Sequence, residues 1–217
     1  MKRNIEAVIF DMDGLIIDSE PLWRKAEIQA FKDIGFHFSE EMCIQTMGMR
    51  IDEVVHYWWK KLKWEKPSEK DVIDSIQSKM IDLIQKDGTL LPGVLDALKL
   101  LKEKNIPIAL ASSSAMILIK AVIESLDIKD YFNVIHSAEK EPAGKPDPAV
   151  FLTAARMLEI EAKKCLVLED SKAGMEAGLN ANMKTIVIPE FGTSPNWVLK
   201  ANKKLNSMKE FNIELLY

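Results

Sequence analysis

Ala7-Val8-Ile9-Phe10-Asp11-Met12-Asp13-Gly14-Leu15-Ile16-Ile17-Asp18-Ser19-Glu20 is the stretch whose reading decides the fold. A short apolar run, Ile5 to Phe10, ends abruptly in two carboxylates one residue apart and then a glycine. A run of that length, rich in Val and Ile, reads as a buried parallel strand. Asp11 and Asp13 then sit just past its carboxyl end, where open α/β sheets place their ligands. Gly14 lets the backbone turn there. Asp11, Asp13, Asp18 and Glu20 put four acids within ten residues, with no base among them. Two carboxylates ~4 Å apart repel by ~4 kcal/mol at an effective dielectric of about 20. Such a cluster calls for a cation or a proton.

The chain around this stretch has 217 residues, enough for one large domain or a core with a smaller insertion. Its formal net charge of -4 gives no general attraction to nucleic acid or to an anionic membrane. No apolar run approaches the ~20 residues that span a bilayer. Glu6, Asp11 and Asp13 interrupt any signal-like segment after Lys2-Arg3, so the expected location is cytoplasmic. Cys43 and Cys165 lie far apart without metal-ligand spacing, and Cys165 reads as a buried thiol opening a strand.

From Glu20 to about Gly88 the pattern is helical. Leu22, Ala26, Ile28 and Phe31 make one apolar face, and Gly35 stops the first helix. Ser39 caps a short helix ending before Gly48, and a third helix runs from about Ile51 to Leu62. Ser68 and Asp71 have the spacing of a capping pair for a long helix to Gln85. From Leu91 the rhythm alternates. Helix to Lys104, strand Ile106–Ala111, helix to Leu126 and strand Phe132–His136 follow in turn. A helix opened by Pro146 and Pro148, strand Cys165–Leu168, another helix and strand Thr185–Ile188 complete the series. The fold class is therefore α/β, a Rossmann-like doubly wound parallel sheet with an inserted α-helical cap. Residues 1–17 and 89–217 make the core, and 18–88 the cap. The tail after Gly192 reads as polar and partly helical.

Three strand ends carry chemical groups: Asp11 and Asp13, then Ser112, then Glu169 and Asp170. Lys145 adds a cation in a Gly-Lys-Pro loop entering a helix. In a parallel sheet these ends share one edge, so the groups converge. Clustered carboxylates suit Mg²⁺, while a hydroxyl, a lysine and a helix N-terminus suit a phosphate. Each feature alone has an ordinary explanation as a cap or a solvated loop residue. Together and in this order they point to phosphate chemistry.

Nearly the whole chain, to about Pro189, resembles the haloacid dehalogenase-like phosphohydrolases, within them the β-phosphoglucomutase-like group with a helical cap. Asp11-Met12-Asp13-Gly14, Ser112, Lys145 and Glu169-Asp170 match the four motifs of that family in turn. Asp11 to Trp23, with Gly48-Met49-Arg50-Ile51-Asp52, is most similar to bacterial hexitol and 2-deoxyglucose-6-phosphate phosphatases. The resemblance implies that Asp11 attacks phosphorus and that Asp13 serves as acid and then base. It implies Mg²⁺ held by the Asp11 carboxylate, the Asp13 backbone carbonyl and Asp170, with Glu169 ligating directly or through water. Lys145, Ser112 and the Ser113 backbone nitrogen would hold the phosphoryl oxygens. The dehalogenase branch lacks an acid at the Asp13 position, which favours phosphoryl transfer.

The cap is expected to choose the substrate, a small phosphorylated sugar or polyol, and to close through hinges near 15–19 and 86–90. Arg50 is a candidate cation for the substrate, and Glu20 and Trp23 are candidates for polyol hydroxyls and a sugar face. Trp58 and Trp59 point ~100° apart on a helix, so at least one is bundle core. His37 and His136 read as structural. The leading expectation is a Mg²⁺-dependent phosphatase acting as a monomer. The nearest alternative is a hexose phosphate mutase, whose arginine falls one residue further from the glycine. A remote alternative is a phospho-accepting signalling domain, where the acceptor aspartate follows a middle strand and no helical insertion intervenes.

Overall fold

The computed structural model describes residues 4–190, 193 and 195–217. The first strand, β1 (Ala7–Phe10), is buried at every position. Its side chains alternate: Val8 and Phe10 join one apolar cluster, Ala7 and Ile9 another. A strand that is apolar on both faces needs cover on both, and helices supply it.

Four helices follow β1 before the sheet resumes: α1 (Glu20–Asp33), α2 (Glu40–Gln45), α3 (Ile51–Leu62) and α4 (Glu69–Asp87). Pro21 sits in the first turn of α1. Ser39 Oγ accepts from Met42 N at 3.4 Å at the start of α2. Ser68 and Asp71 make the reciprocal cap their spacing predicts. Ser68 Oγ accepts from Asp71 N at 3.2 Å, and Asp71 Oδ2 accepts from Ser68 N at 3.1 Å. The inner stripe of α4, Val72, Ile76, Met80 and Ile84, is buried where α4 packs on α1 and α3. Trp58 is core, while Trp59 is half-buried and donates to Trp64 O at 3.1 Å.

The chain then runs α5 (Val94–Glu103), β2 (Ile108–Ser112), α6 (Met116–Ser125), β3 (Val134–Ser137) and α7 (Ala149–Met157). It ends with β4 (Cys165–Glu169), α8 (Lys172–Asn180), β5 (Lys184–Val187) and β6 (Lys203–Lys204). All six strands are parallel in the order β3-β2-β1-β4-β5-β6, so the first strand is central. α7 and α8 cover the Ala7 and Ile9 face; α5 and α6 cover the Val8 and Phe10 face, where the inserted helices also pack. The fold is an α/β sheet with a helical cap, as the alternation of elements predicts.

The two crossings between β1 and α1 and between α4 and α5 run side by side. Ile17 bridges Leu90, Asp18 N donates to Thr89 O at 3.2 Å, and Leu91 N donates to Ile16 O at 2.9 Å.

Three elements differ from the sequence expectation. β2 starts two residues later than Ile106, because Pro107 precedes the ladder, and it takes in Ser112. β3 is displaced to Val134–Ser137 by a 3₁₀ turn at Lys129–Tyr131. The tail contributes β6 and buries Leu205, Met208, Phe211, Leu215 and Leu216. Its end returns to the first strand, where Leu216 O accepts from Ile5 N at 3.1 Å. Among the described residues no helix is long and apolar enough to cross a membrane.

Candidate active site

Register places the chemistry. Phe10 is level with Leu110 on β2 and Leu168 on β4, so Asp11 emerges beside Glu169, the last residue of β4. Asp11 N donates to Leu168 O at 3.0 Å, extending the ladder to the catalytic edge. Asp11, Asp13, Ser112, Ser113, Lys145, Glu169 and Asp170 all line a cavity of about 830 Å³.

Lys145 ties the edge together. Its Nζ donates to Asp11 Oδ1 at 2.6 Å and to Glu169 Oε1 at 2.6 Å, and the residue is 7% exposed. Burial opposes the lysine's charge, but Asp11 and Glu169 outweigh it and hold the ammonium above its ordinary value. The other oxygen of Glu169 is also taken: Oε2 accepts from Ser171 N at 2.7 Å and Ser171 Oγ at 2.9 Å. Ser171 caps α8, its Oγ accepting from Gly174 N at 3.0 Å. A Cβ on Gly174 would lie 1.6 Å from Glu169 Oε1, so only glycine leaves room for the buried carboxylate.

Asp13 has different company. Its Oδ1 accepts from the Trp23 indole Nε1 at 2.9 Å. Its Oδ2 accepts from Ser114 Oγ at 2.7 Å and Ser112 Oγ at 3.4 Å. Ser112 Oγ in turn accepts from Ser114 N at 3.0 Å, and Ser137 Oγ donates to Ser114 O at 2.6 Å. Ser113 Oγ is buried without a partner among the described residues.

Asp11, Glu169 and Asp170 offer oxygens that all lie within 4.8 Å of one another. Burial pushes the Asp11 carboxyl up to about 8; Lys145 opposes this, and Glu169 and Asp13 add to it. Burial, then Glu169 and Asp11, push Asp170 well above the usual carboxylate range. Asp170 reaches this position because Gly14, at φ +69°, has no side chain; a Cβ there would lie 2.1 Å from Asp170 Oδ2. Three acids around one ammonium leave the cluster short of positive charge. Its donors are all oxygen, so the residues present fit a hard divalent cation such as Mg²⁺.

From the cap, Glu20, Trp23, Arg24 and Glu27 line the same cavity. Arg50 does not. The start of α3 packs on the loop between β3 and α7, where Arg50 Nη1 donates to Ala138 O at 3.1 Å and Glu141 O at 2.8 Å. Its other nitrogens reach Asp52, at 3.1 and 2.8 Å. Glu53 Oε1 accepts from Gly144 N at 3.3 Å, immediately before Lys145. Of the two histidines read as structural, His136 pairs with Glu141 at 2.7 Å on this loop.

Ser114, Ser171, Arg24 and Glu27 are among the site residues that sequence reading missed. Ser114 belongs to a triple serine and Ser171 has the position of a helix cap, so both carried a local signal. Glu27 carried one only as the seventh residue after Glu20 on a helix.

Residues 8–188 match the profile of a family described as haloacid dehalogenase-like hydrolase. The chain belongs to that family. This haloacid dehalogenase-like hydrolase is 41% identical over 211 residues to hexitol phosphatase B of Escherichia coli strain K12, covering 96% of this chain and 95% of that protein. CbbY from Rhodobacter sphaeroides, solved in complex with phosphate, superposes with a TM-score of 0.87 at 25% identity, covering 98% and 99% of the two chains. β-Phosphoglucomutase from Clostridium difficile superposes with a TM-score of 0.84 at 27% identity, covering 97% and 95%. The haloacid dehalogenase-like chain is thus a phosphoric monoester hydrolase of the β-phosphoglucomutase-like group.

Proposed function

We propose that the enzyme hydrolyses small sugar or sugar-alcohol phosphates, of the hexitol phosphate or 2-deoxyglucose 6-phosphate type, through an aspartyl-phosphate on Asp11. The supporting observation is the contrast between its two adjacent carboxylates. Asp11 faces a buried ammonium at 2.6 Å, which offsets part of the burial that raises its carboxyl and so works toward the ionised nucleophile. Asp13 faces only neutral donors, an indole and two hydroxyls, which suits a group that must give and take a proton.

In this reading the Asp11 carboxylate attacks phosphorus, and the bond to the sugar oxygen breaks as Asp13 protonates that oxygen. Asp13 then takes a proton from the water that attacks the aspartyl-phosphate, releasing inorganic phosphate and restoring Asp11. Lys145, Ser112 and the Ser113 backbone nitrogen position the phosphoryl oxygens, and such a transition state needs mainly positioning and charge. Mg²⁺ would be held by the Asp11 and Asp170 carboxylates and the Asp13 carbonyl. When bound it would screen nucleophile from phosphate. Glu169 acts from behind this set, since both its oxygens are committed to Lys145 and Ser171. Residues 18–88 act as a cap that closes over the core of residues 1–17 and 89–217.

Phosphate release from a panel of hexose and hexitol phosphates with Mg²⁺ tests this. Turnover of one or a few, lost with EDTA, is expected. Interconversion of glucose 1- and 6-phosphates with a bisphosphate primer, without phosphate release, would instead make the enzyme a mutase.

A further inference from the structure

The cap side of the cavity contains a buried acid that the phosphoryl chemistry does not use. Glu20, Trp23, Arg24 and Glu27 fall at i, i+3, i+4 and i+7 on α1 and all line the cavity. Glu27 is 7% exposed, yet its Oε2 has no hydrogen-bond partner among the described residues. Leaving a buried acceptor unpaired is costly, and more so when it is charged. A side chain that lines a cavity in this state gains from a proton or from a donor arriving in the cavity.

Resting on the phosphatase reading, we infer that Glu27 is a specificity residue that accepts hydrogen bonds from hydroxyls of an uncharged, polyhydroxylated leaving group. Three observations set that ligand class. Trp23 touches Asp13, the group assigned to the leaving oxygen, and Glu27 lies one turn further along α1, about 6 Å along the helix axis. The hydroxyls that reach Glu27 are thus several bonds from the ester oxygen, as in a hexitol rather than a three-carbon alcohol. Next, α1 presents two acids and one cation to the cavity, Glu20 and Glu27 against Arg24. A second phosphate there would meet two carboxyl groups against a single cation, whereas a neutral polyol would meet acceptors. Finally, Cys43, Ile44, Met47 and Val54 add apolar surface to the same cavity. Beside apolar surface a hydrogen bond from a ligand donor to a carboxyl is strengthened.

The surroundings of the carboxyl agree. Burial, then the Glu27 charge, raise the Cys43 thiol well above its ordinary value, so it stays protonated. Burial pushes Glu27 itself up to about 7, with Cys43 opposing and Glu20 adding to the shift.

The test is steady-state kinetics of the wild type, Glu27→Gln and Glu27→Leu, with Mg²⁺, on sorbitol 6-phosphate and on p-nitrophenyl phosphate, which lacks hydroxyls. The readout is the ratio of the two kcat/KM values. Glu27→Leu is expected to lower that ratio at least tenfold, mainly by raising KM for sorbitol 6-phosphate. Glu27→Gln, which keeps an acceptor of the same shape, recovers much of the loss. A ratio within twofold of wild type in Glu27→Leu overturns the inference. So does a parallel fall on both substrates, which would mark a purely structural residue. A wild type that cleaves neither ester rejects the phosphatase reading itself, and this inference with it.

Discussion

The indole Nε1 of Trp23 donates to Oδ1 of Asp13 at 2.9 Å, so a residue of the first cap helix orients a carboxylate of the core's catalytic edge. In the proposed mechanism Asp13 is the acid and base, and this bond would set its geometry when the helix lies over it. A hydrogen bond to a charged acceptor contributes about 1.5–3 kcal/mol. Trp23→Phe keeps an aromatic ring and removes the donor, so kcat should fall roughly ten- to a hundredfold. The pH–rate profile checks the assignment, because the limb reporting the catalytic acid should move in Trp23→Phe while the fold, read by circular dichroism, stays intact.

Arg50 and Glu53 fasten the third cap helix to the loop that ends in Gly144 and Lys145. If the cap closes as proposed, these contacts would hold the closed form, and neither residue lines the cavity. Arg50→Ala should therefore lower the population of the closed form and raise apparent KM in proportion. We expect a KM increase of roughly tenfold for sugar phosphates, with a smaller change in kcat. Limited proteolysis should cut faster at the paired crossings near Ile17 and Leu90. An unaltered KM would mean that closure does not depend on this latch.

Gly14 and Gly35 both have positive φ, at +69° and +87°, but only Gly14 is crowded. Alanine costs about 1–2 kcal/mol of backbone strain at either site. At Gly14 the new methyl also displaces Asp170, whose Oδ2 would lie 2.1 Å away. Both variants should lose a few degrees of Tm. Gly14→Ala alone should need at least tenfold more Mg²⁺ for half-maximal activity, read by a Mg²⁺ titration of each variant.

Glu27 gives stability a pH dependence. Its folded value, about 7, is raised above the ordinary 4.5 chiefly by burial. The folded state binds that proton more tightly, so the contribution is fully present below 4.5 and is lost as pH rises through 7. The size is on the order of 3 kcal/mol. Urea midpoints measured from pH 4.5 to 8 should fall less steeply in Glu27→Gln than in wild type, with the variant more stable at pH 8. Parallel curves for the two proteins would assign the slope to other groups.

The core was legible in the sequence because its signals are local and short. An apolar run ending in Asp11-Met12-Asp13-Gly14 announces a buried strand with ligands at its end, Ser112 and Glu169-Asp170 repeat that form, and Lys145 sits in a loop entering a helix. The cavity receives Asp11, Asp13, Ser112, Lys145, Glu169 and Asp170, together with Glu20 and Trp23. Arg50 was harder to place, since an arginine that starts a helix faces whatever packs there, here the Ala138 and Glu141 carbonyls. β6 and the buried tail had no periodic signal, because Lys203-Lys204 joins the sheet by two backbone pairs and the apolar residues after it are held by 3₁₀ turns. Glu27 went unread because an acid on a helix surface is ordinary, and only the packing of the cap buries it.

The aspartyl-phosphate is the centre of the account, and acid-quenched turnover of ³²P-labelled sorbitol 6-phosphate with Mg²⁺ tests it most directly. Label should appear on the protein within one turnover, be released by hydroxylamine, map to the peptide containing Asp11 and be absent in Asp11→Asn. Wild-type turnover persisting in Asp11→Asn, or label on another residue, would contradict it.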